Sequence, residues 1–322
     1  VVLVAELDTK MEAVEAGKEP LYLGDAIEFF LRSKRSGGRS EKTVNDYHKK
    51  LELFQRWVSR EDYDVPLEQA DADAIEAYVV YLKDGRSMAD SSRKNHLDVL
   101  RSFFKTVSKR LKVPDPSADL DEVRFHQKVP SRRFLTKREA NLLLAAIDEN
   151  KPLGARDNAL FSTMLYAGLR IEEVTNLEVN DLRLSRDEEE IRVAYGKGNK
   201  ERRIPVNEKL RRSLRRYLRL RDELIPALTE PTLPHFFVNS KGKRLTENTV
   251  SRTLYKYVRK SGIRKTDVKP HDLRRTFATW FLQENPDQAR ELAELMGHSD
   301  LSQVMKYALS DEKRARAGVA KL

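Results

Sequence analysis

The chain has 322 residues, room for two ordinary domains, and 39% of them are apolar, which excludes a disordered chain. Charged residues make up 35%, no apolar run approaches the length of a membrane span, and cysteine is absent, so disulfides, a thiol nucleophile and a cysteine zinc site are excluded. The formal net charge of +10 favours a polyanionic partner, nucleic acid ahead of an anionic membrane surface.

Residues 1–20 read as a weakly ordered or helical extension. Its opening Val1-Val2-Leu3-Val4-Ala5 is apolar but too short for a signal peptide, and acidic Glu6 and Asp8 follow. From residue 21 to 112 the pattern is helical. DAIEFFLRSKR, EKTVNDYHKKLELFQRWV, DADAIEAYVVYL and SSRKNHLDVLRSFFKTVSKRL each step their apolar residues by three and four. Val44, Tyr47, Leu51, Phe54 and Val58 share one face; Leu97, Leu100, Phe103, Phe104 and Val107 share another. Breakers at Gly37-Gly38, Pro66 and Asp84-Gly85 separate four helices.

Val113-Pro114-Asp115-Pro116-Ser117 cannot continue a helix, and residues 113–130 read as a linker. A second domain, 131–309, opens with a capping-box signature, Thr136 and Glu139, ahead of LLLAAI. Helical patterns run through ALFSTMLYAGL and IEEVTNL. Glu190 to Tyr195 then alternates as a strand, turns at Gly196-Lys197-Gly198-Asn199, and returns to Val206. Helices are predicted at 208–221, 247–261, 271–284, 289–295 and 301–309, with a tail at 310–322. The fold class is therefore mainly α: an N-terminal four-helix domain and an α-rich second domain with a small antiparallel β-hairpin. Between Gly196 and Arg221 stand eleven Lys or Arg and two Glu, close to the whole net charge. Such a run is either a solvated face or an anion-binding surface.

Arg170, Lys197, His271, Arg274, His298 and Tyr307 form a constellation suited to a phosphodiester. Arginine's planar fork holds two phosphate oxygens and stays charged, which suits a pentavalent transition state. Arg170 starts a helix, and Arg274 lies one turn after His271. Lys197, flanked by glycines at a hairpin tip, can reach a leaving oxygen as general acid. Tyr307 has the nucleophilic oxygen, but a phenol of pKa near 10 is only about 0.1% ionised at pH 7 and needs activation. His298 lies in a glycine break, where it either donates to a phosphate or caps the next helix. Taken singly, each has an ordinary structural explanation: an ion pair of Arg170 with Glu172 or Glu173, a surface lysine, a tyrosine at the edge of a core. The acidic run Asp187-Glu188-Glu189-Glu190 reads as a solvated loop rather than a cation site.

The segments AGLRIEEV, GKGNKERRIP, KPHDLRRTFAT and MGHSDLSQVMKY, in that order, resemble the successive boxes of the tyrosine recombinases, the phage integrase family, and its Xer-like group above all. The likeness extends from about Arg133 to Ala308, and the four-helix unit resembles the family's SAM-like core-binding domain. The resemblance implies that Tyr307 attacks the scissile phosphate and forms a 3′-phosphotyrosyl link. Arg170 and Arg274 would clamp the non-bridging oxygens, and Lys197 would protonate the 5′-oxygen. His271 would assist the tyrosine proton, His298 would hydrogen-bond the phosphate, and Glu173 would orient Arg170. No cofactor, metal or ATP is implied.

The implied partner is double-stranded DNA with a specific site built of inverted repeats, held as in a C between the two domains and crossed by the linker. Ser91, Ser92, Arg93, Asn95, Lys200, Arg202 and Arg244 are candidate DNA-backbone contacts. The family works as a homotetramer on two sites, and the tail at 310–322 would dock on a neighbouring protomer. No membrane is involved, and the expected location is cytoplasmic, with the nucleoid. The short N-terminal extension leaves no room for an arm-binding domain, which suggests a dimer resolvase or a simple integrase. A type IB topoisomerase and a non-catalytic architectural DNA-binding protein are the competing readings.

Overall fold

The computed structural model describes residues 9–14, 16, 18–59, 64–118, 120, 125, 134–185, 189–194, 201–225, 234–297, 301 and 304. The chain divides into two compact units, Val1–Val129 and Pro130–Leu322. Among the described residues no helix is long and apolar enough to cross a membrane.

Among the described residues the first unit is built around four long helices, α1 (Leu23–Ser36), α2 (Glu41–Ser59), α3 (Ala72–Asp84) and α4 (Asp90–Leu111). Asp71 starts α3 by accepting the Ala74 amide at 2.8 Å. The apolar faces meet in one core in which Phe30, Phe54, Tyr78, Phe103 and Phe104 are at most 1% exposed. Their rings pack edge to face, Phe30 on Phe103 at 5.6 Å and Phe54 on Tyr78 at 5.0 Å. Met11, from the helical stretch 9–14, adds to this core.

The second unit begins with α5 (Lys137–Ala145), and Thr136 and Glu139 form both halves of its capping box. The central helix, α6 (Pro152–Tyr166), is buried at every position from Gly154 to Leu165. It carries polar side chains inward only because each finds a partner. Arg156 binds Asp157 and the Val238 carbonyl, Tyr257 donates to Asp157 at 3.2 Å, and Ser213 donates to Asn158 at 3.0 Å.

A short helix, α7 (Ile171–Asn176), leads to a three-stranded antiparallel sheet in the order β1 (Leu182–Leu184), β2 (Glu189–Val193), β3 (Arg202–Pro205). Ile191 lies opposite both Leu182 and Ile204, and Val193 lies opposite Arg202. The hairpin is thus joined by a strand the sequence pattern did not announce, since three residues are too few for a period to appear. Its turn, 195–200, lies outside the described residues. Four helices complete the unit: α8 (Glu208–Leu220), α9 (Glu247–Lys260), α10 (Pro270–Glu284) and α11 (Ala289–Met296). Val304 is helical and buried against Ala278, Leu282, Leu292 and Met296.

Among the described residues of the basic run, 201–221, several arginines turn at least partly inward. Arg211 binds Glu189 and Glu208, Arg215 the Leu184 carbonyl, Arg216 the Glu149 carbonyl, and Arg221 the His235 and Phe236 carbonyls. These guanidiniums staple α8 and the residues after it to the sheet and neighbouring loops, while Arg212 stays 77% exposed. Neither a solvated face nor an anion-binding surface describes all of residues 201–221.

Candidate active site

Three segments, and the start of β3 through Arg202, meet around one carboxylate. The first leaves α6 through Gly168, whose φ of +64° and close neighbour Phe277 both demand glycine: a Cβ there would lie 2.3 Å from the ring. Leu169 is fully buried, and Arg170 caps α7. Glu173 reaches back to accept the Arg170 amide at 2.7 Å and the Arg170 Nη1 at 2.8 Å. This is the carboxylate arm of a capping box, with the arginine side chain bound by the same group.

The second segment is α10. Pro270 opens it, and Asp272 accepts the Lys269 amide at 2.9 Å. Arg274, one turn in, is fully buried; it donates to the Gly168 carbonyl and the Met296 carbonyl, each at 2.6 Å, and lies 3.6 Å from Glu173. The third segment is the carboxyl end of α11. Gly297, at φ +60°, ends the helix, and the last carbonyls are left to accept from outside. Leu295 accepts from Arg202, Met296 from Arg274 and Gly297 from Arg170, at 2.8, 2.6 and 3.3 Å. A helix carboxyl end carries partial negative charge, so guanidiniums collect there.

Glu173 is 4% exposed on its side chain. Burial by itself would raise its carboxyl, but the hydrogen bonds and charge of Arg202, the Arg170 amide and the charge of Arg274 outweigh it and hold it below the usual carboxylate range. The ionised form is therefore favoured by folding. It stabilises the fold above the unfolded value near ~4.3, and that contribution is lost as pH falls through the depressed folded value. Glu173→Gln is expected to melt roughly 5 °C lower than the unaltered chain at pH 7. The gap should close toward pH 3; melting curves across pH 3–7 check this, and a pH-independent gap would contradict the ion-pair account.

His271 keeps part of its surface open. Desolvation, then the charges of Arg275, Arg274 and Arg170, hold its imidazole below the ordinary value, with Asp272 opposing. It is therefore neutral at pH 7 and able to accept a proton. Arg170 has 27% of its side chain exposed, whereas Arg274 has none.

Of the sequence-selected residues, the structure brings together Arg170, Glu173, Arg274 and His271, while Lys197, His298 and Tyr307 lie outside the described residues, as does Lys200. Among the backbone-contact candidates, Ser91, Ser92 and Asn95 are exposed at the start of α4, and exposed Arg244 bonds Asn176. Arg93 is instead buried, bonded to Asp90 at 2.8 Å and stacked over Phe125. Arg202 also faces inward, 10% exposed, with both terminal nitrogens on Glu173. In this structure both guanidiniums are taken by partners inside the fold rather than displayed toward solvent. The sequence held no signal for Arg202, because Glu173 is 29 residues away. Among the described residues no group of three His, Cys, Asp or Glu side chains is arranged to hold a metal ion.

Comparison with known proteins gives two family matches, the phage integrase family over residues 133–314 and the phage integrase N-terminal SAM-like domain over 27–110. Tyrosine recombinase XerD of Lacticaseibacillus casei is 33% identical over 272 residues, 84% of this chain and 88% of that protein. The fold is shared with the XerH site-specific recombinase bound to palindromic difH substrate in a post-cleavage complex, at a TM-score of 0.71 and 21% identity over 92% of this chain and 84% of that one. It is shared too with a lambda integrase tetramer bound to a Holliday junction, at a TM-score of 0.66 over 89% of this chain and 78% of that one. The chain belongs to the phage integrase family and is a tyrosine recombinase.

Proposed function

We propose that this recombinase cleaves and rejoins duplex DNA at a specific site through a 3′-phosphotyrosyl link at Tyr307, without metal or ATP. The observation that carries the reading is the convergence of Arg170, Arg202 and Arg274 on the single carboxylate of Glu173, which leaves an excess of fixed positive charge beside His271. Such preorganised charge suits the oxygens of a pentavalent phosphorane. The Tyr307 oxygen attacks phosphorus, the bond to the 5′-oxygen breaks, and the products are a 3′-phosphotyrosine and a 5′-hydroxyl. Neutral His271 takes the phenolic proton, and Lys197 protonates the departing oxygen. His298 donates to a non-bridging oxygen. Because the link conserves the ester, a 5′-hydroxyl from the partner strand reverses the step and joins new ends.

Arg170 meets the phosphate first. Arg274 has no exposed surface, so its contact with the phosphate requires the site to open on DNA. Ser91, Ser92, Asn95 and Arg244 contribute backbone contacts that position the duplex and make binding salt-dependent. The family likeness supports inverted-repeat sites, a homotetramer on two of them, residues 310–322 docking on a neighbour, and work beside the nucleoid in the cytoplasm. The Xer relatives favour a Xer-like dimer resolvase over an integrase or excisionase of a mobile element. In this reading residues 21–112 are the core-binding domain and 131–309 the catalytic domain.

The test traps the intermediate. A nicked suicide duplex carrying the native site is incubated with the protein and run on a denaturing gel, where a slow protein–DNA band is expected. Binding without that band would overturn the enzymatic reading and favour an architectural protein. Relaxation of plasmid lacking the site as fast as plasmid carrying it would favour a type IB topoisomerase.

A further inference from the structure

We propose that Arg202 is a positioning residue for strand cleavage, holding Glu173 and the carboxyl end of α11 in the register that aims Arg170 and Arg274. The inference rests on the function proposed above and adds a residue to it.

Arg202 binds the same carboxylate as Arg170. Its Nη1 and Nη2 lie 3.0 and 2.8 Å from the two oxygens of Glu173, a fork-to-fork pair that fixes the carboxylate plane. Its Nε donates to the Leu295 carbonyl at 2.8 Å. Glu173 Oε1 is shared between Arg202 and Arg170, and Oε2 lies between the Arg170 amide, Arg202 and Arg274. The carboxylate that orients Arg170 is thus itself oriented by Arg202. The same holds at the helix end, where consecutive carbonyls of Leu295, Met296 and Gly297 receive Arg202, Arg274 and Arg170 in turn. Gly297 packs against this arginine, since a Cβ at that position would meet Arg202 Nη1 at 3.1 Å.

Two properties set Arg202 apart from the other inward arginines. It is the first residue of β3, so it ties the end of the strand pair that leads into the segment with Lys197 to the arginine cluster. It also touches the segment that runs directly into His298 in sequence. One side chain therefore links the sheet, Glu173 and the end of α11. Lysine retains the charge here but lacks the fork: its single ammonium cannot hold both Glu173 oxygens and the Leu295 carbonyl in that geometry.

The experiment compares the full-length chain with Arg202→Lys and Arg202→Ala on the suicide duplex, measuring DNA affinity, single-turnover cleavage at saturating DNA, and melting temperature. Arg202→Lys is expected to bind DNA within about threefold of the unaltered protein and to cleave about 100-fold more slowly while folded at the assay temperature. Arg202→Ala is expected to cleave no faster than Arg202→Lys. Weakened affinity with an unchanged cleavage rate at saturation would overturn the proposal and make Arg202 a DNA contact. An unfolded Arg202→Lys protein would overturn it in favour of a purely structural staple. A wild-type adduct alongside an unchanged Arg202→Lys rate sinks this inference alone, whereas absence of any wild-type adduct sinks it together with the function it rests on.

Discussion

Tyr307→Phe is expected to bind its DNA site within about twofold of the unaltered protein and to form no covalent adduct, because only the nucleophilic oxygen is removed while the ring is kept. The phenol begins with a deficit of roughly 4 kcal/mol at pH 7, since so little of it is ionised. In the proposed mechanism the arginine cluster would supply the field that lowers this cost, and His271, whose imidazole burial and nearby arginines hold below its ordinary value, would take the proton. Neither group attacks phosphorus, so no residual route to the adduct survives the substitution. Mobility-shift and denaturing gels on one duplex separate binding from chemistry. Strong adduct formation by Tyr307→Phe would remove Tyr307 from the nucleophile's role.

Arg274→Ala should damage both fold and chemistry. The guanidinium is fully buried, bound to the Gly168 and Met296 carbonyls, and sits 3.6 Å from Glu173. Its removal leaves two buried carbonyls short of a donor and takes one cation from a buried carboxylate, a loss of about 3–5 kcal/mol in stability. Cleavage at a temperature where the variant is still folded is expected to fall by about a thousandfold, the cost of losing a preorganised donor to the developing charge. Arg274→Lys should recover part of the melting temperature and little of the rate, because an ammonium cannot span both carbonyls and a phosphate. Single-turnover cleavage together with thermal melts reads both effects. A near-normal rate in Arg274→Ala would contradict the phosphate-clamp role.

What could be read from the sequence was what is local. The apolar steps of Leu97, Leu100, Phe103, Phe104 and Val107 correspond to the buried face of α4, and Thr136 with Glu139 to the cap of α5. Arg170 and Glu173, three apart at a helix start, form the pair their spacing allows. What escaped was set by direction and distance. GKGNKERRIP reads as basic and DNA-facing, yet Arg202 turns inward because Glu173 and the Leu295 carbonyl wait there, 29 and 93 residues away. Arg93 turned inward for the same kind of reason, toward Asp90 and the ring of Phe125. The basic helix α8 reads as either a solvated or an anion-binding face; Arg215 and Arg216 instead reach the carbonyls of Leu184 and Glu149, distant in sequence.

The most direct measurement is the chemical identity of the trapped adduct. Proteolysis of the gel-purified protein–DNA species, followed by mass spectrometry, is expected to yield a peptide carrying a nucleotide on Tyr307 through a 3′-phosphate. End-labelling of the released strand should find a free 5′-hydroxyl. A link to any other residue, or a 5′-phosphate attachment, would contradict the mechanism assigned to Arg170, Arg274, Lys197 and Tyr307.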